Sequence, residues 1–256
     1  MLQTYVNIAK NSLKRKNLFV MAKKVLSRVK ERDQKALRKS ILNWCEQHAE
    51  PFEPYLNTLD ADLWQESQTV CAEIKNMAEE KLNTVNIDLG GGGNYPMLYF
   101  FTRYTKAQTI VETGVAAGWS SQAILKAIKK NANGGHLYSS DFPYFRLHNP
   151  EELSGYIVDN DLKDNWSLFI DGDENNLPKI FDAIETVDLF HYDSDKSYQG
   201  RSFAQNLILP KCHNKSIIIF DDIQDNTHFQ DYVEANQCTY HVFAFEGKYV
   251  GLIEAI

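Results

Sequence analysis

The chain has 256 residues, of which 43% are hydrophobic, and its formal net charge at pH 7 is −7. This length and composition predict a globular protein with a full hydrophobic core. No run of about 18 apolar residues occurs, so a membrane span is excluded, and Lys10, Lys14 and Arg15 interrupt the stretch where a secretory signal would be apolar. The four cysteines include no C-x-x-C pair, which favours reduced thiols over a zinc site and predicts a cytoplasmic protein.

The charge is unevenly distributed along the chain. Residues 1–40 contain twelve Lys or Arg and two Asp or Glu, a net charge of +10, so the remaining 216 residues carry −17. An acidic body of this kind is unsuited to general nucleic-acid binding, and we expect no nucleic-acid partner. Only the basic arm could contact a polyanion.

The first 90 residues predict helices. Apolar residues recur every three or four positions over 18–29, which predicts one face of a helix spanning about 5–48. Lysine and arginine cover the opposite face, which suits a membrane surface or an anionic partner; we favour packing on the body of the protein or on a second subunit. Pro51 and Pro54 predict a boundary, and a second helix is expected over 61–83.

Four consecutive glycines at 90–93 follow the second helix. Glycine loses much conformational entropy on ordering, so this run is excluded from a helix or strand interior. It could approach a ligand closely or form the hinge of a lid, and a plain linker fits the pattern as well. Residues 97–104, after Pro96, predict a short apolar helix.

The rest of the chain alternates strands with helices. Strands are predicted at 109–112, 136–140, 166–170, 187–192 and 216–220, and helical crossovers at 121–130, 150–162, 175–185 and 199–209. Two final strands, 239–245 and 249–254, are joined by a tight turn at Gly247. The predicted fold is α/β, a doubly wound Rossmann-like parallel sheet with a C-terminal antiparallel hairpin and an N-terminal helical extension.

Acidic residues end the predicted parallel strands. The carboxyl ends of such strands lie along one edge of the sheet, where ligands bind. The residues found there are Glu112, Gly114, Gly118, Asp141, Asp171, Asp173, Asp193, Asp195, Asp221 and Asp222. Neighbouring carboxylates repel one another, so this edge favours ribose hydroxyls, a sulfonium or ammonium group, or a divalent cation over a phosphate-rich ligand.

The motif after the first strand narrows the range of possible ligands. Residues 112–120 read E-T-G-V-A-A-G-W-S, which lacks the G-x-G-x-x-G of dinucleotide sites, and no P-loop occurs. The motif resembles the E-x-G-x-x-x-G-x-S of class I S-adenosylmethionine-dependent methyltransferases, in the form found in catechol and caffeoyl-CoA type O-methyltransferases and related bacterial small-molecule enzymes. Residues 193–198, D-S-D-K-S-Y, resemble the D-A-D-K-x-x-Y and D-x-D-H-S-Y stretches of two branches of that family.

The resemblance implies an S-adenosylmethionine-binding domain over 91–256, with 1–90 as a separate extension that serves as a substrate cap or dimerisation element. Asp141 would bind the ribose hydroxyls, and Asp173 lies where the adenine is held. The implied cofactor-binding residues are Glu112, Gly114, Gly118, Ser120, Asp141, Asp173 and Asp193. Tyr95, Trp119 and Tyr144 are candidates for aromatic walls of the site.

The same resemblance implies a centre for the reaction. Asp193, Asp221 and Asp222 match the ligands of Mg²⁺ or another divalent cation, although the metal-dependent branch usually has Asn where this chain has Asp222. Asp193 and Lys196 are the implied catalytic residues, and Lys196 matches a general base, a role that requires a lowered pKa. His191 is the alternative proton acceptor.

The expected function is O-methylation of a small hydroxylated acceptor, with or without a divalent cation. Two alternatives stay open. One is a metal-independent methyltransferase that acts on a sugar, an amine or a peptide. The other is a non-catalytic Rossmann-like protein that binds a nucleoside. A homodimer formed through the N-terminal helices is compatible with each of them.

Overall fold

The structure is a computed structural model that describes residues 2–12, 35–85, 89–143, 147 and 149–254. Residues 13–34 of the helix predicted over about 5–48, and the candidate wall residue Tyr144, lie outside these residues. No helix in the described ranges is long and apolar enough to cross a membrane.

Eight strands of the described chain form one sheet. They are β1 (Ala49–Glu50), β2 (Thr109–Thr113), β3 (His136–Ser140), β4 (Trp166–Phe169), β5 (Val187–Tyr192), β6 (Cys212–Phe220), β7 (Thr239–Phe245) and β8 (Lys248–Glu254). Their spatial order is β1-β7-β8-β6-β5-β2-β3-β4. Strands β2 to β6 are mutually parallel, and β8 runs antiparallel to both β6 and β7. The predicted Rossmann-like sheet with a C-terminal hairpin is confirmed.

Strand β2 lies at the point where the direction of winding reverses. The chain passes from β2 to β3 and β4 on one side, then returns to place β5 and β6 on the other. The carboxyl ends of β2 and β5 therefore border a crevice, the usual ligand site of an open α/β sheet. Ile110 and Val111 of β2 are fully buried, as expected for a central strand covered on both faces.

The two faces of the sheet support two hydrophobic clusters. Alternate strand residues point to opposite faces, so Val111 and Phe190 join one cluster while Ile110 and Leu189 join the other. The helices are α1 (Leu2–Ser12), α2 (Lys35–His48), α3 (Phe52–Asn83), α4 (Tyr95–Tyr104), α5 (Trp119–Asn131), α6 (Asp173–Ala183), α7 (Tyr198–Ile208) and α8 (His228–Asn236). Helices α5, α6 and α7 confirm three of the predicted crossovers, and α8 was not predicted.

The crossover predicted as a helix over 150–162 is wrong. It contains two short 3₁₀ helices, Pro150–Leu153 and Asn160–Asn165, separated by a segment of turns. The segment lies across the turn that follows β2, because Gly155 N donates to Ala116 O at 2.9 Å and Ile157 N donates to Ala117 O at 3.0 Å. These bonds replace the bonds that a helix would make, and we call residues 154–159 the strap.

Residues 35–83 pack into the same core as the sheet. Ile41 and Cys45 of α2 belong to one hydrophobic cluster, and Leu56 and Trp64 of α3 belong to the other. Strand β1 pairs in parallel with β7. The separate extension predicted for residues 1–90 thus supplies core residues and an edge strand to the domain that follows.

The helix break predicted at the prolines lies just before Pro51, since α2 ends at His48. Helix α3 begins directly after Pro51, and Pro54 lies in its first turn, where the missing N–H costs no helical bond. A second break lies at Asp60, whose backbone is non-helical at φ −164° and ψ 99°. Its carboxylate accepts from Leu63 N at 2.9 Å and recaps the helix, which explains the predicted start at residue 61.

Asp188 joins three strands at the amino end of the sheet. Its Oδ2 accepts from Gln108 N at 2.7 Å and from Thr109 N at 2.8 Å, and its Oδ1 lies 2.9 Å from His213 Nε2. Burial alone would raise the pKa of Asp188, but the hydrogen bonds from Thr109 and Gln108 outweigh it and hold this pKa below the ordinary value of 3.8.

We expect Asp188→Ala to lower the free energy of unfolding by about 2 kcal/mol at pH 7, because two backbone N–H groups lose their acceptor. A lowered folded-state pKa stabilises the fold above the ordinary pKa, and this contribution disappears as the pH falls through the folded-state value. The difference from wild type should therefore shrink below about pH 4 in urea unfolding curves. Asp182→Ala, an exposed change on α6, is the control. Equal, pH-independent effects of the two substitutions would contradict the assignment.

Candidate active site

The turn between β2 and α5, which we call the glycine turn, requires its two glycines. Gly114 has φ +81°, and a Cβ there would lie 2.2 Å from the carbonyl oxygen of Asp193, which follows β5. Gly118 has φ +98°, and a Cβ there would lie 2.9 Å from Gly155 Cα in the strap. Glycine alone permits these approaches, so the turn is held between the end of β5 and the strap.

Glu112 ends β2 and is fully buried. Its Oε2 accepts from Ser121 Oγ at 2.6 Å and from Ser139 Oγ at 2.9 Å. Its Oε1 has no hydrogen-bond partner among the described residues and lies 3.8 Å from His191 Nδ1. Ser120, also predicted to bind the cofactor, is buried in the first turn of α5.

Two further predicted cofactor residues connect strand ends. Asp141 follows β3, and its carboxylate accepts from Val115 N at 3.3 Å and from Ser154 Oγ of the strap at 2.5 Å. Burial raises the pKa of Asp141, and these hydrogen bonds offset the rise only in part. Asp173, the first residue of α6, accepts from Ser140 Oγ at 2.6 Å and from Ser194 Oγ.

His191, Asp193 and Asp221 form a cluster that differs from the predicted set of metal ligands, and we call it the reactive cluster. The ligand atoms of His191, Asp193 and Asp221 all lie within 4.8 Å of one another, and this is the group of described residues that could hold a metal ion. The prediction had Asp222 in place of His191. Asp222 adopts a left-handed backbone, φ +51°, and its carboxylate contacts Lys196 Nζ at 3.0 Å and Lys248 Nζ at 3.1 Å.

The surroundings of the cluster raise the pKa values of two of its residues, Asp221 and His191. Burial, together with the neighbouring Asp193, raises the pKa of Asp221 to about 6. Burial alone would lower the pKa of His191, but Glu112 and Asp193 outweigh it and raise that pKa. The cluster therefore favours a proton or a cation among its oxygens.

Lys196 does not meet the condition for the predicted general base. Its Nζ contacts Asp193 Oδ1 and lies 3.0 Å from Asp222 Oδ2. Burial would lower the pKa of Lys196, but these two carboxylates outweigh it and raise that pKa. This direction of shift favours the ammonium form of Lys196, which balances the two carboxylates, over the predicted general base.

The glycine run passes beside the cluster. A Cβ on Gly93 would lie 3.4 Å from Asp221 Oδ2, and one on Gly92 would lie 2.9 Å from the Tyr95 ring. Tyr95 and Trp119 are neighbours with ring centroids 5.5 Å apart, and Trp119 Nε1 is buried without a hydrogen-bond partner in the described ranges. Of the roles left open for the four glycines at 90–93, close approach to a ligand site fits their position beside Asp221.

Two residues of the site were not predicted from the sequence. Ser154 lies in a segment predicted as a helix, and no sequence signal marks it. Arg201 is fully buried and donates to the carbonyls of Asp221 and Asp222. A charged residue among the apolar positions of α7 was the available signal.

Comparisons with a family model and with solved structures agree with this arrangement of strands and site residues. Residues 111–223 match a family model described as a methyltransferase domain. A putative O-methyltransferase from Klebsiella pneumoniae superposes with a TM-score of 0.57 at 15% identity, covering 71% of this chain and 89% of that chain. Residues 111–223 are therefore similar to a methyltransferase domain, and the chain shares its fold with this solved structure.

Two further solved structures share the fold of this chain. The O-methyltransferase TomG from Streptomyces achromogenes, in complex with S-adenosylmethionine, has a TM-score of 0.56 at 14% identity and covers 71% and 88% of the two chains. An O-methyltransferase from Bacillus cereus, in complex with S-adenosylhomocysteine, has a TM-score of 0.52 at 14% identity and covers 82% and 99%. No protein of curated function matches the sequence.

The residues of this site are compatible with the cofactor. Glu112 Oε1 and Trp119 Nε1 are buried and have no hydrogen-bond partners among the described residues, so they could accept from an amino group and donate to a carboxylate, the two groups of a methionine moiety. The acidic strand ends suit a sulfonium. His191, Asp193 and Asp221 supply one imidazole and two carboxylates, a donor set that suits a divalent cation such as Mn²⁺ or Mg²⁺.

Gly114→Ala should abolish the contact between the glycine turn and the end of β5, because its Cβ would overlap the Asp193 carbonyl. We expect at least a 10-fold loss of S-adenosylmethionine affinity in equilibrium dialysis and a destabilisation of about 3 kcal/mol. Gly134→Ala is the matched control, since Gly134 has a similar φ of +78° and no atom within 4 Å of an added Cβ. That control should lose only about 1–2 kcal/mol to backbone strain. Equal losses in both variants would show that the contact is unimportant.

Proposed function

We propose that the protein transfers the methyl group of S-adenosylmethionine to a hydroxyl oxygen of a small acceptor. The observation that carries this proposal is the contact between the glycine turn and the Asp193 backbone. It supports the proposal because the glycine turn and the cluster of His191, Asp193 and Asp221 are then neighbours. The three similar solved structures named above are O-methyltransferases, which supports transfer to oxygen.

The chain's own residues supply what a displacement at a methyl carbon needs. S-adenosylmethionine provides the methyl group on a sulfonium, so the S–C bond breaks with its electron pair while the O–C bond forms. The acceptor hydroxyl must lose its proton, and Asp221 Oδ2 or the unpartnered His191 Nδ1 is the atom that can receive it. Fixing acceptor and methyl group in line between the strand ends lowers the entropic part of the barrier.

A divalent cation held by His191, Asp193 and Asp221 would assist the same step. Coordination lowers the pKa of a hydroxyl and fixes its position. The mutual repulsion of Asp193 and Asp221 supports this version, because a cation relieves it. The opposing observation is that Lys196 contacts Asp193 and Asp222, so an ammonium group already balances part of this charge. That contact favours a metal-independent version, including transfer to a sugar or amine.

Chelation separates the two versions. The protein is treated with EDTA, dialysed and assayed before and after addition of Mg²⁺ or Mn²⁺. A metal-assisted enzyme loses its turnover and regains it on addition, whereas a metal-independent enzyme keeps its rate throughout. Both outcomes keep the methyltransferase proposal, and they decide between its two forms.

Asp221→Asn should reduce methyl transfer by about 100-fold or more, because it removes a proton acceptor and a possible ligand from the cluster. The affinity for S-adenosylmethionine should stay within about 3-fold, since the predicted cofactor residues lie mainly on the ends of β2 and β3. Transfer of an isotope-labelled methyl group to a panel of small hydroxylated compounds, followed by mass spectrometry, measures the rate. Asp164→Asn, an exposed change, is the control. Unchanged turnover in Asp221→Asn would remove the cluster from the reaction.

We propose that residues 1–90 close the acceptor side of the site. Lys81 of α3 donates to Ile157 O of the strap at 2.8 Å and to Asp159 at 2.9 Å. Helix α1 also reaches the domain, through Asn11 Nδ2 and Leu147 O at 3.1 Å.

All four cysteines are free thiols, which supports a cytoplasmic location.

The basic segment at residues 1–40 is also our candidate for a dimer contact. If the segment joins two subunits, light scattering will report twice the chain mass of 29.4 kDa for the full-length protein. A mass of one chain would contradict the dimer and leave the cap as the role of this segment.

A further inference from the structure

Arg201 occupies an unusual position behind the reactive cluster. It is 1% exposed and lies on the buried face of α7, one turn before Gln205. Its guanidinium stacks over the rings of Tyr192 and Phe220, with Cζ 5.7 Å and 6.0 Å from their centroids. These aromatic residues end β5 and β6, so Arg201 bridges the two strands that carry Asp193 and Asp221.

One nitrogen of Arg201 fixes the turn after β6. Its Nη2 donates to Asp221 O at 2.8 Å and to Asp222 O at 2.9 Å. Between these two carbonyls the backbone changes to the left-handed conformation of Asp222, which costs a non-glycine residue about 1–2 kcal/mol. The change of direction sends the Asp221 carboxylate to His191 and Asp193 and the Asp222 carboxylate to Lys196 and Lys248.

The other donors of Arg201 show that stability alone does not explain it. Nε and Nη1 are buried and have no hydrogen-bond partner within the described chain. A buried guanidinium without a directly paired carboxylate is costly compared with an apolar side chain of the same size. Burial lowers the pKa of Arg201, whereas Tyr192 and the nearby Asp225, Asp222 and Asp193 raise it. An arginine retains its charge in a protein, so it supplies a fixed positive charge behind an acidic edge.

We propose that Arg201 is a positioning residue, which holds the carbonyls of Asp221 and Asp222 so that the Asp221 carboxylate faces His191 and Asp193. The inference rests on the proposed function, because the geometry it preserves is that of the reactive cluster. Within the described chain, the side-chain hydrogen bonds of Arg201 go to the carbonyls of Asp221 and Asp222 and not to the glycine turn or to Asp141, so we expect its effect on the transfer step and not on cofactor binding.

The test compares Arg201→Met with Gln205→Met. Both changes replace a buried polar side chain on the same face of α7 by an apolar one, and Gln205 Nε2 makes no hydrogen bond to the described residues. For Arg201→Met we expect kcat to fall about 10- to 100-fold, as for residues that orient ligands of a reactive centre. The dissociation constant for S-adenosylmethionine should stay within about 3-fold in both variants, and Gln205→Met should keep the wild-type kcat within about 3-fold.

Arg201→Lys covers the case in which Arg201→Met does not fold. Lysine keeps the charge and a donor but reaches less far and lacks the planar group, so we expect kcat to fall about 3- to 10-fold with unchanged cofactor affinity. A wild-type kcat in Arg201→Lys, or equal kcat values in Arg201→Met and Gln205→Met, would overturn the proposal. Parallel losses of cofactor affinity and kcat would overturn it as well. A wild-type protein that neither binds S-adenosylmethionine nor transfers a methyl group would instead refute the proposed function, and with it the role of Arg201.

Discussion

The contact between Gly114 and the backbone of Asp193 is the constraint on which the rest of the site depends. It joins the ends of β2 and β5 across the crevice where the sheet reverses its winding. A side chain of any size at Gly114 would separate the predicted cofactor turn from the strand that carries His191 and Asp193. The strap then packs on the far side of the same turn, at Gly118. Two glycines thus permit the close approach of three chain segments.

Charge compensation is the second principle of this edge of the sheet. The buried carboxylates are balanced in two ways, by hydroxyl groups at Glu112, Asp141 and Asp173 and by cationic side chains around Asp222. Asp193 also contacts Lys196, whereas burial and the neighbouring Asp193 together raise the pKa of Asp221 to about 6. A ligand that brings positive charge would be stabilised beside this pair.

Much of the fold could be predicted from the sequence because its signals are local. Buried strands that end in acidic residues, and a glycine turn that opens a helix, define the sheet and the cofactor edge. The reactive cluster could be predicted only in part. His191 lies on β5 and Asp193 directly follows this strand, two positions further on, so the two side chains point to the same side, and this spacing would have identified His191 as a partner of Asp221.

The remaining features depend on contacts distant in sequence. The left-handed turn at Asp222 is held by Arg201, some twenty residues earlier. The strap replaces a helix because its backbone bonds to the glycine turn, and residues 35–83 join the core because Ile41 and Leu56 find apolar partners on the sheet. The raised pKa of Lys196 follows first from Asp193, three residues earlier, and then from Asp222, whose position no local pattern specifies.

The central claim is that the crevice between β2 and β5 binds S-adenosylmethionine. Calorimetric titration of the wild-type protein with S-adenosylmethionine tests it most directly. The account predicts saturable binding of one cofactor per chain, with a dissociation constant in the micromolar range that corresponds to about −8 kcal/mol. No heat of binding at cofactor concentrations of about 1 mM, in a protein that unfolds cooperatively, would contradict it.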